Sequence, residues 1–536
     1  MSPAGAASGF EHPARLVPDL LAAAVEKAPR RYAVVVGGEA VTHAELAGRV
    51  DRLASWLTSA GVARGDRIVV RAANGHIHFD TYLAAARIGA ACVPMATELA
   101  APEVARLVAD VRPTLAFADA PGAGALRAAG LDVLVEGSGR HAAALATPVA
   151  GLPRLPEPSD TVLIVYTSGT TDRPRGVCLS HAAVTANATI NATSQHFGAH
   201  EVHLTSTPLH HTSAAARIFT MLDGAHTHVV MQHFEPESWI EAVESHRVTS
   251  AIVVPTQVHR ILDHEAYAPE RLASLRLLVY GTAPSSPRQV WRMRQELRCG
   301  LYHGYGLSET VGVVTALTAA DHAALAGPDD PRLGSIGRAI DGAEVVVRRR
   351  DGSEVASGEV GEITVRTAKV MSGYWGELEA RAAAFSDGWL LTGDLATVDD
   401  DGYISIVGRS KEVIISGGVN IHPAQLERVI GAHPDVEEAA AFGVADPDWG
   451  ESPAVAVRLR PGGALAAAEI SDLVAERLDR RFRPRRVVFV EDFPRTPTGK
   501  VRRHDLPLLL DWYSAPRPSV PPDPPNYPGA CDASCS

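Results

Sequence analysis

Cysteine is scarce in this chain, with five in 536 residues. Cys92, Cys178 and Cys299 lie far apart, and Cys531 and Cys535 sit in the extreme tail. Such spacing provides no disulfide framework, and a reducing cytoplasm is the expected compartment. Long apolar runs are missing too. No segment reaches the roughly 18 apolar residues of a membrane span, and Met1–Val17 lacks the charged-then-apolar order of a secretion signal. Basic charge is in deficit: 50 Lys and Arg against 62 Asp and Glu leave a net charge of -12, which argues against a nucleic-acid surface. No stretch reads GxxxxGK[ST], so a Walker loop is excluded, and no internal repeat points to a solenoid.

What is present is ordinary globular material, 46% hydrophobic and 21% charged, in a chain long enough for two or three domains. From Leu16 to Asp119 helical patterns ("VPDLLAAAVEKAP", "HAELAGRVDRLASWLTSAG") alternate with short strand-like runs ("DRIVVRAA", "GAACVPM"). The alternation continues through "SAIVVPTQVHRIL" and "LRLLVYGTAPSSP" and predicts an α/β architecture with mostly parallel sheet. Between Gly334 and Tyr403, "DG" and "SG" pairs separate alternating strands such as "AEVVVRRR" and "GEITVRT", which predicts a small antiparallel β unit. The expected organisation is a large N-terminal domain (1–408) of mixed sheets carrying that β unit, followed from Arg409 by a separate small α+β unit of roughly one hundred residues that ends near Leu510. The proline-rich tail at 511–536 is expected to be extended or disordered.

One loop draws attention first. "YTSGTTDRPRGV" (Tyr166–Val177) follows the apolar run "TVLIV". Thr167, Ser168, Thr170 and Thr171 supply hydroxyls, and Gly169 lets backbone amides approach an oxyanion. Further on, "YHGYGLSET" (Tyr302–Thr310) gathers aromatics, glycines, a hydroxyl and a carboxylate within nine residues. "LLTGDLATVDDDGYISIVGRSKEVIISGGVNIHP" follows from Leu390, and "PRTPTGKVRRHDL" closes the folded region. In this order and spacing the four stretches resemble the adenylate-forming superfamily: acyl- and aryl-CoA ligases, peptide-synthetase adenylation domains and beetle luciferases. The resemblance runs from about Leu16 to Leu510.

The resemblance implies ATP-dependent activation of an acid as an acyl-adenylate, with pyrophosphate released, followed by transfer to the thiol of CoA. It implies ATP, Mg²⁺ and CoA as co-substrates and cofactors, and a small-molecule acid as partner, with an acyl-carrier protein as a further one. Lys500 matches the lysine that bridges carboxylate and α-phosphate, and Glu309 the Mg²⁺ carboxylate. Thr167, Ser168, Gly169, Thr170, Thr171 and Arg175 match the triphosphate loop. Asp394 and Arg409 match the ribose contacts, Ser308 a phosphate contact, and Tyr305 with Gly306, His303 and Thr282–Pro284 (with Ala283) the adenine walls. His210, His211, Thr212, Gly281 and Gly304 match the acid pocket, where Gly304 and the run Ala214–Ala216 suggest room for a medium acyl chain or an aryl ring. A histidine at 211, where amino-acid-activating relatives carry aspartate, disfavours an α-amino acid. Lys411 matches the hinge, at 409–411, on which a mobile domain at 412–510 turns, while Gly417, Gly418 and Trp449 match the path for a pantetheine arm.

Two departures matter. The usual "TSGTTGxPKG" here carries Asp172 for glycine and Arg175 for lysine. A unit charge about 4 Å from a phosphate costs about 4 kcal/mol at an effective dielectric near 20, so Asp172 must turn outward or pair, with Arg173 or Arg175 nearest. Val419 stands where the usual "GGEN" has glutamate, which leaves other acceptors open: an amine, a carrier protein, or nitrite activation leading to N–N bond formation. An inactive nucleotide-binding homologue is the remaining alternative. "HTH" at 226–228 offers two imidazoles to one strand face but no third ligand, and the arginines between 477 and 486 read as a solvated face.

Overall fold

The structure is a computed structural model and describes residues 14–167, 174–281, 285–478, 480–495 and 501–514. The predicted helices form where the pattern puts them. Val17–Lys27 opens with Pro18 in its first turn and Asp19 accepting from the Leu16 amide. His43–Ser59 opens on a reciprocal capping box, in which the Thr42 hydroxyl accepts from the Glu45 amide and the Glu45 carboxylate accepts from the Thr42 amide at 2.8 Å.

Two large sheets form the N-terminal part among the described residues. One runs, in spatial order, Arg338–Ala339, Gly312–Leu317, Gly300–Leu307, Leu277–Gly281, Ser250–Val253, Val202–Thr205, Thr227–Val230, Tyr32–Val36 and Glu39–Thr42. The five pairs from Gly300–Leu307 across to Tyr32–Val36 are parallel, and Gly300–Leu307 pairs antiparallel with Gly312–Leu317. The second runs Gly373–Tyr374, Arg175–Ser180, Thr161–Thr167, Ala91–Pro94, Arg67–Arg71, Leu115–Ala118 and Val133–Val135. Ala91–Pro94 and Leu115–Ala118 are buried along their whole length, as parallel strands covered on both faces must be. Helices Val17–Lys27, His43–Ser59, His76–Ile88, His181–Ser194 and Thr212–Asp223 contribute to one large apolar core with residues of both sheets.

The expected antiparallel unit is present. Ala343–Arg348 pairs with Gly361–Thr367, which pairs with Trp389–Val398. It reaches past the expected limit at Tyr403, because Ile404–Arg409 adds a further antiparallel strand. Beyond it lies a smaller α+β unit. Its strand Gly450–Leu459 sends Val455 and Val457 to a core with Ile414, Leu426 and Ile470, and Ala454 and Ala456 to a second core with Phe442, Phe493 and Leu506. That alternation is the period of two of a strand buried on both faces. The fold is therefore α/β with a small C-terminal unit, as the residue pattern predicts.

Candidate functional site

Five of the predicted residues lie at or near the carboxyl ends of three strands, where open α/β sheets bind ligands. Thr167 ends Thr161–Thr167, Gly281 ends Leu277–Gly281, and Gly304, Tyr305 and Gly306 lie near the end of Gly300–Leu307. Gly281 and Gly304 are register partners. A Cβ on Gly281 would lie 2.5 Å from the Gly304 carbonyl oxygen, so glycine at 281 answers first to the close approach of two strands. Ser168, Gly169, Thr170, Thr171, Asp172, Thr282, Ala283, Pro284 and Lys500 lie outside the described residues.

Asp394 is the centre of one cluster. It faces Arg409 across the antiparallel pair, and its Oδ1 lies 2.8 Å from Arg409 Nε. The Tyr305 hydroxyl donates to Oδ2 at 2.6 Å. Burial holds the Tyr305 phenol well above its usual range, and the adjacent carboxylate adds to this. For Arg409, burial opposes the charge, but Asp394, Glu412, Tyr305 and Glu309 together outweigh it and raise its pKa. Each carboxylate oxygen keeps a second lone pair, so Asp394 can still accept from a diol.

Glu309 forms the second cluster. It sits in the 3₁₀ turn Ser308–Thr310, with its Oε1 accepting from the Tyr374 hydroxyl at 3.0 Å. Arg175 lies over the Tyr374 ring at 5.3 Å and pairs with Glu377 at 3.2 Å. Arg175 thus already has a carboxylate partner other than Asp172. One carboxylate with orienting neighbours suits Mg²⁺, which keeps most of its water and needs few protein ligands.

Between these clusters, the Thr212 hydroxyl donates to Ser308 Oγ at 2.8 Å. Thr212 opens the helix Thr212–Asp223, with His211 as its N-cap. His210 and His211 lie ring to ring at 4.4 Å. Burial pushes His210 down to about 3, so it meets an acid as a neutral imidazole. His303 stacks flat on Tyr280 at 4.8 Å, and burial pushes it down to about 4. A small cavity of about 50 Å³ runs from Gly281 and Gly304 along the helix to Arg217.

The residues expected on the acceptor side behave differently. Gly417 and Gly418 have φ of +55° and +79° and join Ile414–Ser416 to Val419–Ile421 with Ser416 opposite Val419. This is a two-residue turn with both centres left-handed. A Cβ on Gly417 would lie 2.3 Å from the Trp449 ring. The turn and the indole account for these glycines without an open path. Trp449 is half-exposed beneath the Arg485 guanidinium at 4.9 Å. Lys411 lies exposed just after Arg409, in a turn where the Glu412 amide donates to the Arg409 carbonyl at 3.0 Å. His226 and His228 are buried in a ring cluster with Phe197 and His203.

Residue patterns missed four side chains. Tyr374 and Glu377 carry no local signal. Arg217 is the one charge between Thr212 and Leu222, and Lys369 is one of four lysines in the chain yet fully buried. A lone charge in an apolar run was the available clue to both.

The profile of the AMP-binding enzyme family matches residues 21–375, and that of the AMP-binding enzyme C-terminal domain matches 425–500. The chain is 34% identical to an indoleacetate–CoA ligase of Aromatoleum aromaticum over 495 residues, covering 90% of this chain and 96% of the relative. It is 35% identical to a feruloyl-CoA synthase of an Amycolatopsis species over 497 residues, covering 89% and 96%. Among solved structures it resembles the amide bond synthetase McbA of Marinactinospora thermotolerans, at TM-score 0.83 and 31% identity, covering 92% of this chain and 99% of that one.

Proposed function

The chain belongs to the AMP-binding enzyme family, and from that premise we propose that it activates a small carboxylic acid as its adenylate and passes the acyl group to CoA. The observation that carries this reading is the juxtaposition of the Asp394–Tyr305–Arg409 cluster with a mainly apolar cavity bounded by Gly281 and Gly304. A carboxylate free to accept from a ribose, beside an apolar cavity, suits a nucleotide and an acid meeting at one point.

In this reading Asp394 accepts from the ribose hydroxyls while Tyr305 and Arg409 hold its orientation. Ser308, accepting from Thr212, directs its own hydroxyl hydrogen toward the phosphates and the acid, and neutral His210 adds no charge that would trap the carboxylate. Lys500 carries the cation that offsets the two anions as they approach. Glu309, steadied by Tyr374, would hold Mg²⁺, which supplies charge neutralisation on the phosphates. The segment 409–411 is the proposed hinge between the unit at 1–408 and that at 412–510. Its exposed turn suits a backbone that must change conformation.

Transfer of the adenylate to an amine is the second reading. The likeness to an amide bond synthetase supports it, as does a Gly417–Gly418 turn closed by Trp449. Pyrophosphate release measured across aliphatic acids, aryl acids and nitrite, each with CoA, an amine or neither, tests both. AMP formation that depends on an acid and CoA supports the first reading. Acid-dependent turnover that needs an amine and ignores CoA replaces it with the second, and turnover on nitrite alone overturns both.

A further inference from the structure

Two cations are associated with the acid cavity, Arg217 lining it and Lys369 lying behind its lining residue Val313, and among the described residues neither has a carboxylate partner. Arg217 lines the cavity at 3% exposure, with its Nη1 donating to Gln195 Oε1 at 2.8 Å. Lys369 is 0% exposed, with its Nζ donating to Asn187 Oδ1 at 3.0 Å and to the Val313 carbonyl. Asn187 also accepts from Asn191 Nδ2 at 3.0 Å, and Asn191 and Val313 both line the cavity. Every partner of the two cations is neutral. Burial pushes Lys369 down to about 7 and Arg217 down to about 10, and Arg217 adds to the shift at Lys369. Buried charges are retained in proteins when something pairs with them. Here the space left beside them is the substrate cavity.

The position fixes what could pair. Thr212, at the nucleotide end, touches Ser308. Ser213, beside Thr212, and Arg217 both line the cavity one helical turn apart, about 6 Å at 1.5 Å per residue. An acid whose reacting carboxylate lies near Thr212 would therefore bring a group about one ring's length away to the guanidinium. We infer that the cavity takes a compact acid carrying a second anionic group, held by Arg217 with Lys369 behind it. This rests on the acid-activation reading and names its substrate class: short or aromatic dicarboxylic acids rather than plain fatty or aryl acids. Arg217 offers its remaining N–H groups as a fork to a carboxylate. Lys369 contributes charge from behind the Asn187–Asn191 pair.

The test compares matched acids on the intact enzyme: benzoate with isophthalate and terephthalate, and pentanoate with glutarate. Binding is read by calorimetry and activation by pyrophosphate release. The expected result is that at least one dicarboxylate exceeds its monoacid in kcat/KM by about 10-fold or more, since a site built around a charged contact discriminates against ligands lacking it. Arg217→Met should abolish that preference through KM, with ATP affinity unchanged, and Lys369→Met should reduce it. The wild-type comparison needs no variant, so a failure of Arg217→Met to fold leaves the inference exposed to refutation. Monoacids binding and reacting as well as dicarboxylates would overturn it while leaving acid activation standing. Dicarboxylates that bind selectively without releasing pyrophosphate would support the subsite and overturn the activation reading instead.

Discussion

Asp394 and Arg409 stand directly opposite each other on antiparallel strands, with Arg409 Nε 2.8 Å from Asp394 Oδ1. The pairing is unequal in burial. The Asp394 side chain is 6% exposed and that of Arg409 is 35% exposed, so water screens one partner and hardly reaches the other. Asp394→Asn keeps the shape and removes the charge. The expected loss of stability is about 1 kcal/mol, below the range for a fully buried pair, because Arg409 can rehydrate. The nucleotide should suffer more, with the KM for ATP rising about 10-fold or more in pyrophosphate exchange. An unchanged KM would move the ribose contact elsewhere.

Tyr374 gives a finer test of the Glu309 cluster. Its hydroxyl donates to Glu309 at 3.0 Å and its ring carries Arg175. Tyr374→Phe preserves the ring and removes only the hydrogen bond. Loss of a partner that orients a metal ligand typically weakens metal affinity by 10-fold or more. The Mg²⁺ concentration for half-maximal activity should rise about 10-fold, with Tm nearly unchanged. An identical Mg²⁺ dependence would detach Glu309 from the metal.

These two clusters also show what residue patterns can and cannot carry. The stretches 302–310 and 390–409 bring Tyr305, Ser308, Glu309, Asp394 and Arg409 forward through the resemblance their motifs carry, and the structure sets them on or beside Gly300–Leu307, Trp389–Val398 and Ile404–Arg409. The partners that complete the site come from far away in the chain. Tyr374 is 65 residues from Glu309, and Lys369 is 182 from Asn187. Neither periodicity nor propensity reports such contacts, which arise only when the sheets stack. Gly417 adds a reason that the residue pattern did not supply: its left-handed conformation and the neighbouring indole also require glycine in the turn itself.

Lys500 belongs to the same chemistry by resemblance. If it bridges the acid and the α-phosphate, Lys500→Ala removes a principal charge-stabilising group from the first half-reaction. Adenylation should fall about 100-fold or more, comparable to losing an oxyanion donor, with ATP binding largely retained. Acid-dependent pyrophosphate release at the wild-type rate would show that another cation does this work.

Acid should unfold this protein early, for a reason that lies in its histidines. Burial pushes His78, His181, His226 and His322 down to about 4 and His228 to about 3, and all five are at most 3% exposed. Their unfolded values lie near 6.5. Between those limits the unfolded chain binds protons that the folded chain refuses, so stability rises with pH there. The contribution is therefore fully present above about pH 6.5 and is lost as pH falls toward about 4. Each histidine withdraws up to about 1.4 kcal/mol per pH unit. Five together would exhaust a stability of about 5–15 kcal/mol within that window, before carboxylate protonation dominates. Tm followed by circular dichroism should drop steeply from pH 6.5 to 4.5, and unfolding at pH 5 should take up more than five protons, since His210 and His303 are held down in the same way. A flat Tm from pH 7 to 5 would mean that these imidazoles protonate in place, with water or a rearranged neighbour accepting the charge.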